Sequence, residues 1–140
     1  MESRRHKGQS LVEFALILPV LIIILVVLAD MSRAVAAHVA LRNAAREGAR
    51  YAAWYPSDFS TIKSRVLLEY NNTSIGVTGM ELTAENIIIS YPEGSTAPGS
   101  LVRVTARCRF PIFFASFFPE GVVDEAGTML LQGFAEMVIL

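Results

Sequence analysis

The sequence predicts an α+β chain. One long N-terminal helix crosses a membrane and runs on into a small domain, which adds a short second helix and an antiparallel sheet of about three or four strands. Three observations carry this reading. Residues 8–29 are an apolar run behind a short basic leader. Small residues then recur every three or four positions from Ala34 to Gly48, which is the period of a helix face. Residues 101–110 alternate apolar and polar side chains, as a strand with one buried face does.

A chain of 140 residues has room for one membrane segment and one small domain. It is 53% hydrophobic and 18% charged, whereas soluble domains carry about 25% charged residues. The net charge of −1 hides a basic end, for Arg4, Arg5 and Lys7 meet only Glu2 in residues 1–8. A basic end beside an apolar run stays in the cytoplasm. No further basic run invites nucleic acid. Cys108 is the single cysteine, so no intramolecular disulfide can form and the domain must fold by packing.

Taken in order, residues 1–8 are the leader, 9–29 the transmembrane segment, 30–55 a continuation of the same helix and 56–140 the small domain. From Leu11 to Ala29 about nineteen residues are available, enough for roughly 30 Å of hydrocarbon at 1.5 Å per residue. Glu13 interrupts the run near its start. A carboxylate there costs about 2.5–3.5 kcal/mol at mid-bilayer, less near an end, and calls for a partner. Pro19 removes one N–H and crowds the carbonyl of Ala15, so a kink is expected. Beyond Asp30 the stripe of Ala34, Ala37, Leu41, Ala44, Ala45 and Gly48 allows close packing. Arg42, Arg46 and Arg50 form a like-charge row at four-residue spacing. That row is either a solvated face offset by Glu47 or a contact for acids of the domain or of a neighbouring subunit. Tyr55-Pro56 ends the helix, because proline disfavours helix in the residue before it; from Gln9 to Trp54 that makes roughly 69 Å.

Ser57 or Asp58 caps a second helix whose Phe59, Ile62, Val66 and Tyr70 follow helical spacing up to Asn71-Asn72. Residues 86–91 are apolar and β-branched and read as a buried strand. Residues 92–100 form a loop by composition. In the next strand Val102, Val104, Ala106, Cys108 and Phe110 face the core, while Arg103, Thr105, Arg107 and Arg109 face out. Cys108 then acts as a small hydrophobe. Residues 111–119 hold Phe113, Phe114, Phe117 and Phe118 between two prolines, as a cap on the core or as an apolar patch for a membrane surface or partner. Residues 129–140 make a last strand with Leu131, Gly133, Ala135, Met137 and Ile139 on one side.

Gly8, four residues, then Glu13-Phe14 and an apolar helix resembles the processing site of type IV prepilins and pseudopilins. With A-L-I-L-P after Phe14 and N-A-A-R-E-G-A-R over residues 43–50, the chain is similar to the TadE-like pseudopilins of the Tad (tight adherence, or Flp) pilus system. The resemblance implies a pilin-like fold and cleavage between Gly8 and Gln9 by a prepilin peptidase. Gly8, without a side chain, would let the backbone enter a tight protease site. Glu13 would then be the fifth mature residue and would face the freed α-amino group of Gln9 on a neighbour. The implied role is that of a minor pilin in assembly of a pilus for adhesion, biofilm formation and surface attachment. The implied partners are other Tad pilins and pseudopilins (TadF-like proteins and the Flp major pilin), an inner-membrane assembly platform and the lipid bilayer. The implied place is the bacterial inner membrane, N-terminus cytoplasmic and domain periplasmic, with entry into an extracellular pilus open. Gln9 departs from the aromatic first residue of major pilins, which bears on N-methylation and not on cleavage. Val138-Ile139-Leu140 departs from the polar final strand of the family, through packing or truncation.

Catalytic chemistry is not expected. The only histidines are His6 and His38, and no His or Cys pair has metal-ligand spacing. His38 lies on the long helix, where no Ser–His–acid triad could form around it, and no glycine loop cradles phosphate. Asp124 and Glu125 sit side by side in a loop, where solvation accounts for them. The expectation is a non-enzymatic assembly protein with no cofactor and no metal. The alternative is a conventionally secreted domain cut after Ala34-Val35-Ala36, or a singly anchored periplasmic binding domain. The apolar run exceeds a secretory h-region of about 7–15 residues, and the site lies beyond Asp30 and Arg33.

Overall fold

A computed structural model describes residues 5–73, 79–117, 121–124 and 126–140. Of the expected features, residues 1–4 of the leader, Phe118, Pro119 and Glu125 lie outside the described residues. Helix α1 spans Arg5–Ala52 and α2 spans Phe59–Thr73. Strands β1 (Ile87–Ser90), β2 (Leu101–Pro111) and β3 (Thr128–Val138) follow, with short 3-10 turns at Ala84–Asn86 and Ala115–Phe117. The sheet is antiparallel with order β1-β2-β3. This is the α+β arrangement read from the sequence.

With 48 residues, α1 is about 72 Å long at 1.5 Å per residue. It continues through Pro19. It ends at Ala52, ahead of Pro56, where Trp54 N–H bonds the Tyr51 carbonyl at 3.1 Å and tightens the last turn. The carbonyl of Ala53 is satisfied from the far end of the chain, by Leu140 N–H at 2.9 Å. Ile139 is buried beside it, while Val138 and Leu140 are exposed.

Asp58 is the N-cap of α2. Its Oδ1 accepts the Thr61 N–H at 3.2 Å and the Ser60 hydroxyl at 3.0 Å, which satisfies one of the helix's orphan donors. Oδ2 accepts the Tyr51 hydroxyl at 3.2 Å. Ile62, Val66 and Tyr70 are buried as expected, while Phe59, at the first position, is exposed.

The core lies between the second half of α1, α2 and the inner face of the sheet. Ala37, Ala40, Leu41, Ala44, Ala45, Ala49 and Ala52 are all essentially inaccessible. Ala40, Leu41, Ala44, Ala49 and Ala52 among them meet Val102, Val104, Ala106 and Cys108 from β2 and Ile62, Val66 and Tyr70 from α2. The small side chains set how close the elements come. A Cβ on Gly133 of β3 would stand 2.5 Å from the backbone nitrogen of Arg42 and 2.6 Å from the carbonyl carbon of Leu41. Backbone therefore lies on backbone at that crossing. At Gly48 an added Cβ would meet Val66 Cγ2 at 2.3 Å.

The alternation in β2 holds along its length, with Arg103, Arg107 and Arg109 outside. Arg103 pairs with Glu136, its direct cross-strand partner. One strand corrects the sequence reading. Residues 86–91 were expected to be buried, but β1 is a four-residue edge strand in which Ile87 is buried and Ile88 is exposed. The helices cover only one face of the antiparallel sheet, so the pleat turns alternate side chains of β1, as of β2, to solvent.

Candidate functional site

The first half of α1 carries its apolar side chains outward. Leu11, Val12, Phe14, Leu16, Ile17, Val20, Ile22, Leu25 and Leu28 are all exposed. The 18-residue apolar window here is 0% buried by the rest of the chain. A soluble fold could not leave this surface in water, because burying apolar area is the main driving force of folding. It is covered by lipid, by other helices, or by both.

Glu13 stands near the head of this surface. Its Oε1 accepts a hydrogen bond from Gln9 Nε2 at 3.1 Å, one helical turn earlier, and both residues are exposed. Phe14 beside it is also exposed. Gly8 lies inside the helical span, and Pro19 is carried about three turns further on. No residue of the small domain contacts Glu13 through a hydrogen bond or ion pair among the described residues. Its carboxylate is open to a second molecule.

The exposed run ends at Asp30, which is 3% exposed and anchored on three sides. Oδ1 takes Arg33 Nη1 at 2.9 Å. Oδ2 accepts the backbone N–H of Phe113 at 3.0 Å and that of Phe114 at 3.3 Å. The Arg33 guanidinium lies 4.3 Å from the centre of the Phe113 ring and 5.0 Å from that of Phe110, within cation–π range. Phe110 and Ile112 are buried against Ala34 and Ala37. Phe113 is 69% exposed, so this end of the core is closed by Phe110 and Ile112 and not by the ring of Phe113. Sequence reading missed the role of Asp30, because its partners are backbone groups 83 and 84 residues away.

On the second half of α1, Arg42, Arg46 and Arg50 are exposed. Arg50 makes a two-pronged bond to Glu47 at 2.8 and 2.9 Å. That bond, with Arg65 of α2 at 3.9 Å adding to it, holds the Glu47 carboxyl below the usual carboxylate range against the opposing effect of burial. Arg42 and Arg46 have no acid within ion-pair distance among the described residues.

Two other singled-out groups have structural places. Cys108 is buried and donates to the Glu81 carbonyl at 3.0 Å, and burial pushes its thiol up. Asp124 closes the turn into β3: Oδ2 accepts the Thr128 hydroxyl at 2.6 Å and Oδ1 the Thr128 N–H at 2.8 Å. These bonds hold its carboxyl below the usual range. Solvation alone does not describe it. Among the described residues no three His, Cys, Asp or Glu side chains come together as a metal cluster would require.

Residues 8–50 match a family model described as TadE-like protein. The match begins at Gly8, takes in Glu13, Phe14, Pro19 and Asp30, and ends at Arg50. It covers α1 and stops before α2 and the sheet. No curated protein and no solved structure matches the chain.

Proposed function

We propose that this chain, TadE-like over residues 8–50 and through that family associated with Tad pili, is a membrane-inserted minor pilin that takes part in pilus assembly. The observation that carries the reading is a 44-residue apolar-to-amphipathic helical stretch whose 18-residue apolar window is 0% buried, with a carboxylate, Glu13, open at its head. Its work is packing. A prepilin peptidase removes residues 1–8, cutting between Gly8 and Gln9. The new α-amino group, with an ordinary pKa of about 7.7–8.0, is largely protonated at neutral pH and offsets Glu13 of a neighbour within lipid. Phe14 and the aliphatic residues after it then fill the seam between helices, and Pro19 gives the span a place to bend. Arg42 and Arg46 have no acid within ion-pair distance among the described residues, which supports contacts to acids of neighbouring pilins or the assembly platform.

The N-terminus is cytoplasmic and the domain periplasmic in this reading, set by Arg4, Arg5 and Lys7. Secretory cleavage after Ala36 fits poorly: it would cut a helix whose Ala34 and Ala37 pack under Phe110 and Ile112, and would remove the Asp30 anchor. The test is Glu13→Ala in the native host. Membrane insertion stays intact and piliation is impaired. Normal piliation would count against the proposal.

A further inference from the structure

We propose that the turn carrying Phe113 and Phe114 is a second membrane contact, seated in the headgroup layer of the bilayer that α1 spans. The proposal rests on the membrane-spanning reading of α1. Asp30 is the first charged residue after the apolar run, so the hydrocarbon boundary on the domain side falls at its level. The same carboxylate binds the N–H groups of Phe113 and Phe114 at 3.0 and 3.3 Å. These residues are thereby fixed at the height where α1 leaves the hydrocarbon.

Phe113 points out of the domain, 69% exposed, and Phe114 is 38% exposed, while Phe110 four residues earlier reaches the core. Leu28 and Met31 are exposed on α1 at the same level. The apolar surface of the span thus continues onto the domain. The bilayer covers that surface up to Asp30, and the lipid interface is where rings beside a polar backbone are favoured. Charge is compatible too. Asp30 and Arg33 neutralise each other at 2.9 Å, so the cluster brings no net charge to the headgroups. Phe134 offers the contrast. It is 53% exposed on the outer sheet face, next to Gly133, which crosses α1 at Arg42. That is about 18 Å beyond Asp30 at 1.5 Å per residue.

The test uses the full-length protein with Trp54, its one tryptophan, changed to Phe. Single variants Phe113→Trp, Phe134→Trp and Ile22→Trp are reconstituted in phosphatidylcholine vesicles at low protein-to-lipid ratio. Headgroup nitroxide lipids remove most of the Phe113→Trp emission and leave that of Phe134→Trp unchanged. Mid-chain brominated lipids quench Ile22→Trp. If Ile22→Trp is quenched but Phe113→Trp stays as bright as Phe134→Trp, the turn lies off the membrane and the proposal is overturned while the span stands. Equal quenching of Phe113→Trp and Phe134→Trp overturns it by laying the whole domain on lipid. Quenching of Phe113→Trp only at high protein density overturns it in favour of a second copy. An unquenched Ile22→Trp removes the span itself, and the proposal with it.

Discussion

The Asp30 carboxylate accepts the backbone N–H of Phe113 at 3.0 Å, tying the point where α1 stops being uniformly apolar to the end of β2. One buried acid thus fixes how the domain stands on its helix. An exposed aspartate after an apolar run would mark only the edge of a membrane segment. This one is 3% exposed and has three donors.

Asp30→Ala leaves those donors short of an acceptor and Arg33 without its ion pair. Removing one partner of a buried hydrogen-bonded group costs about 1–3 kcal/mol. The change lowers the urea midpoint of the detergent-solubilised protein, and Asp30→Asn, which keeps one acceptor, lowers it less.

The close approaches to α1 give two tests of packing. At Gly133 a methyl group meets the backbone of Leu41 and Arg42, which cannot move aside without shifting a helix or a strand. At Gly48 it meets Cγ2 of Val66, a fully buried side chain that is stiff in a helix because it is β-branched. Overpacking costs about 1–3 kcal/mol. In thermal melts Gly133→Ala and Gly48→Ala each lose stability within that range.

Stability falls in acid through Asp58, Asp124 and Glu47. Asp58 is held low by the Thr61 hydroxyl and N–H and then by the Ser60 hydroxyl. Asp124 is held low first by Thr128, and Glu47 by Arg50. A carboxylate with a depressed folded-state pKa binds fewer protons folded than unfolded. Its contribution is complete above the unfolded value, about 3.9 for Asp, and is lost as pH falls through the folded value below that. Asp58→Asn keeps a capping oxygen but does not titrate. Its denaturation midpoint therefore changes less than wild type between neutral pH and acid, as circular dichroism will show.

Much of this was legible in the sequence because periodicity reports burial directly. The alternation from Val102 to Phe110 named every inward residue of β2, and the stripe from Ala34 to Gly48 named the packed face of α1. What was hidden depended on partners distant in sequence. The Asp30 bond is made to backbone N–H groups, which no side-chain pattern announces. The exposure of Ile88 follows from the helices covering only one face of the sheet, and three isoleucines in a row do not announce which face is left open. Phe113 and Phe110 look alike in composition, yet the chain turns between them after Pro111, and one ring goes inward while the other stays out. Glu13 stood out because a carboxylate is costly within an apolar helix.

The arginine row carries a functional prediction. Arg42 and Arg46 are solvent-facing with no acid in ion-pair reach among the described residues, so Arg42→Gln with Arg46→Gln should change the melting temperature little, surface substitutions being worth about ±0.5 kcal/mol. Pilus assembly scored by electron microscopy should nevertheless drop. Full piliation in that double variant would assign the row to a solvated face.

Intact mass of the protein recovered from its native membrane tests the central claim most directly, since it reports where the mature chain begins. The account predicts a chain starting at Gln9, and full-length protein starting at Met1 when the prepilin peptidase is deleted. A start at Ala37, or a start at Met1 with the peptidase present, would contradict it.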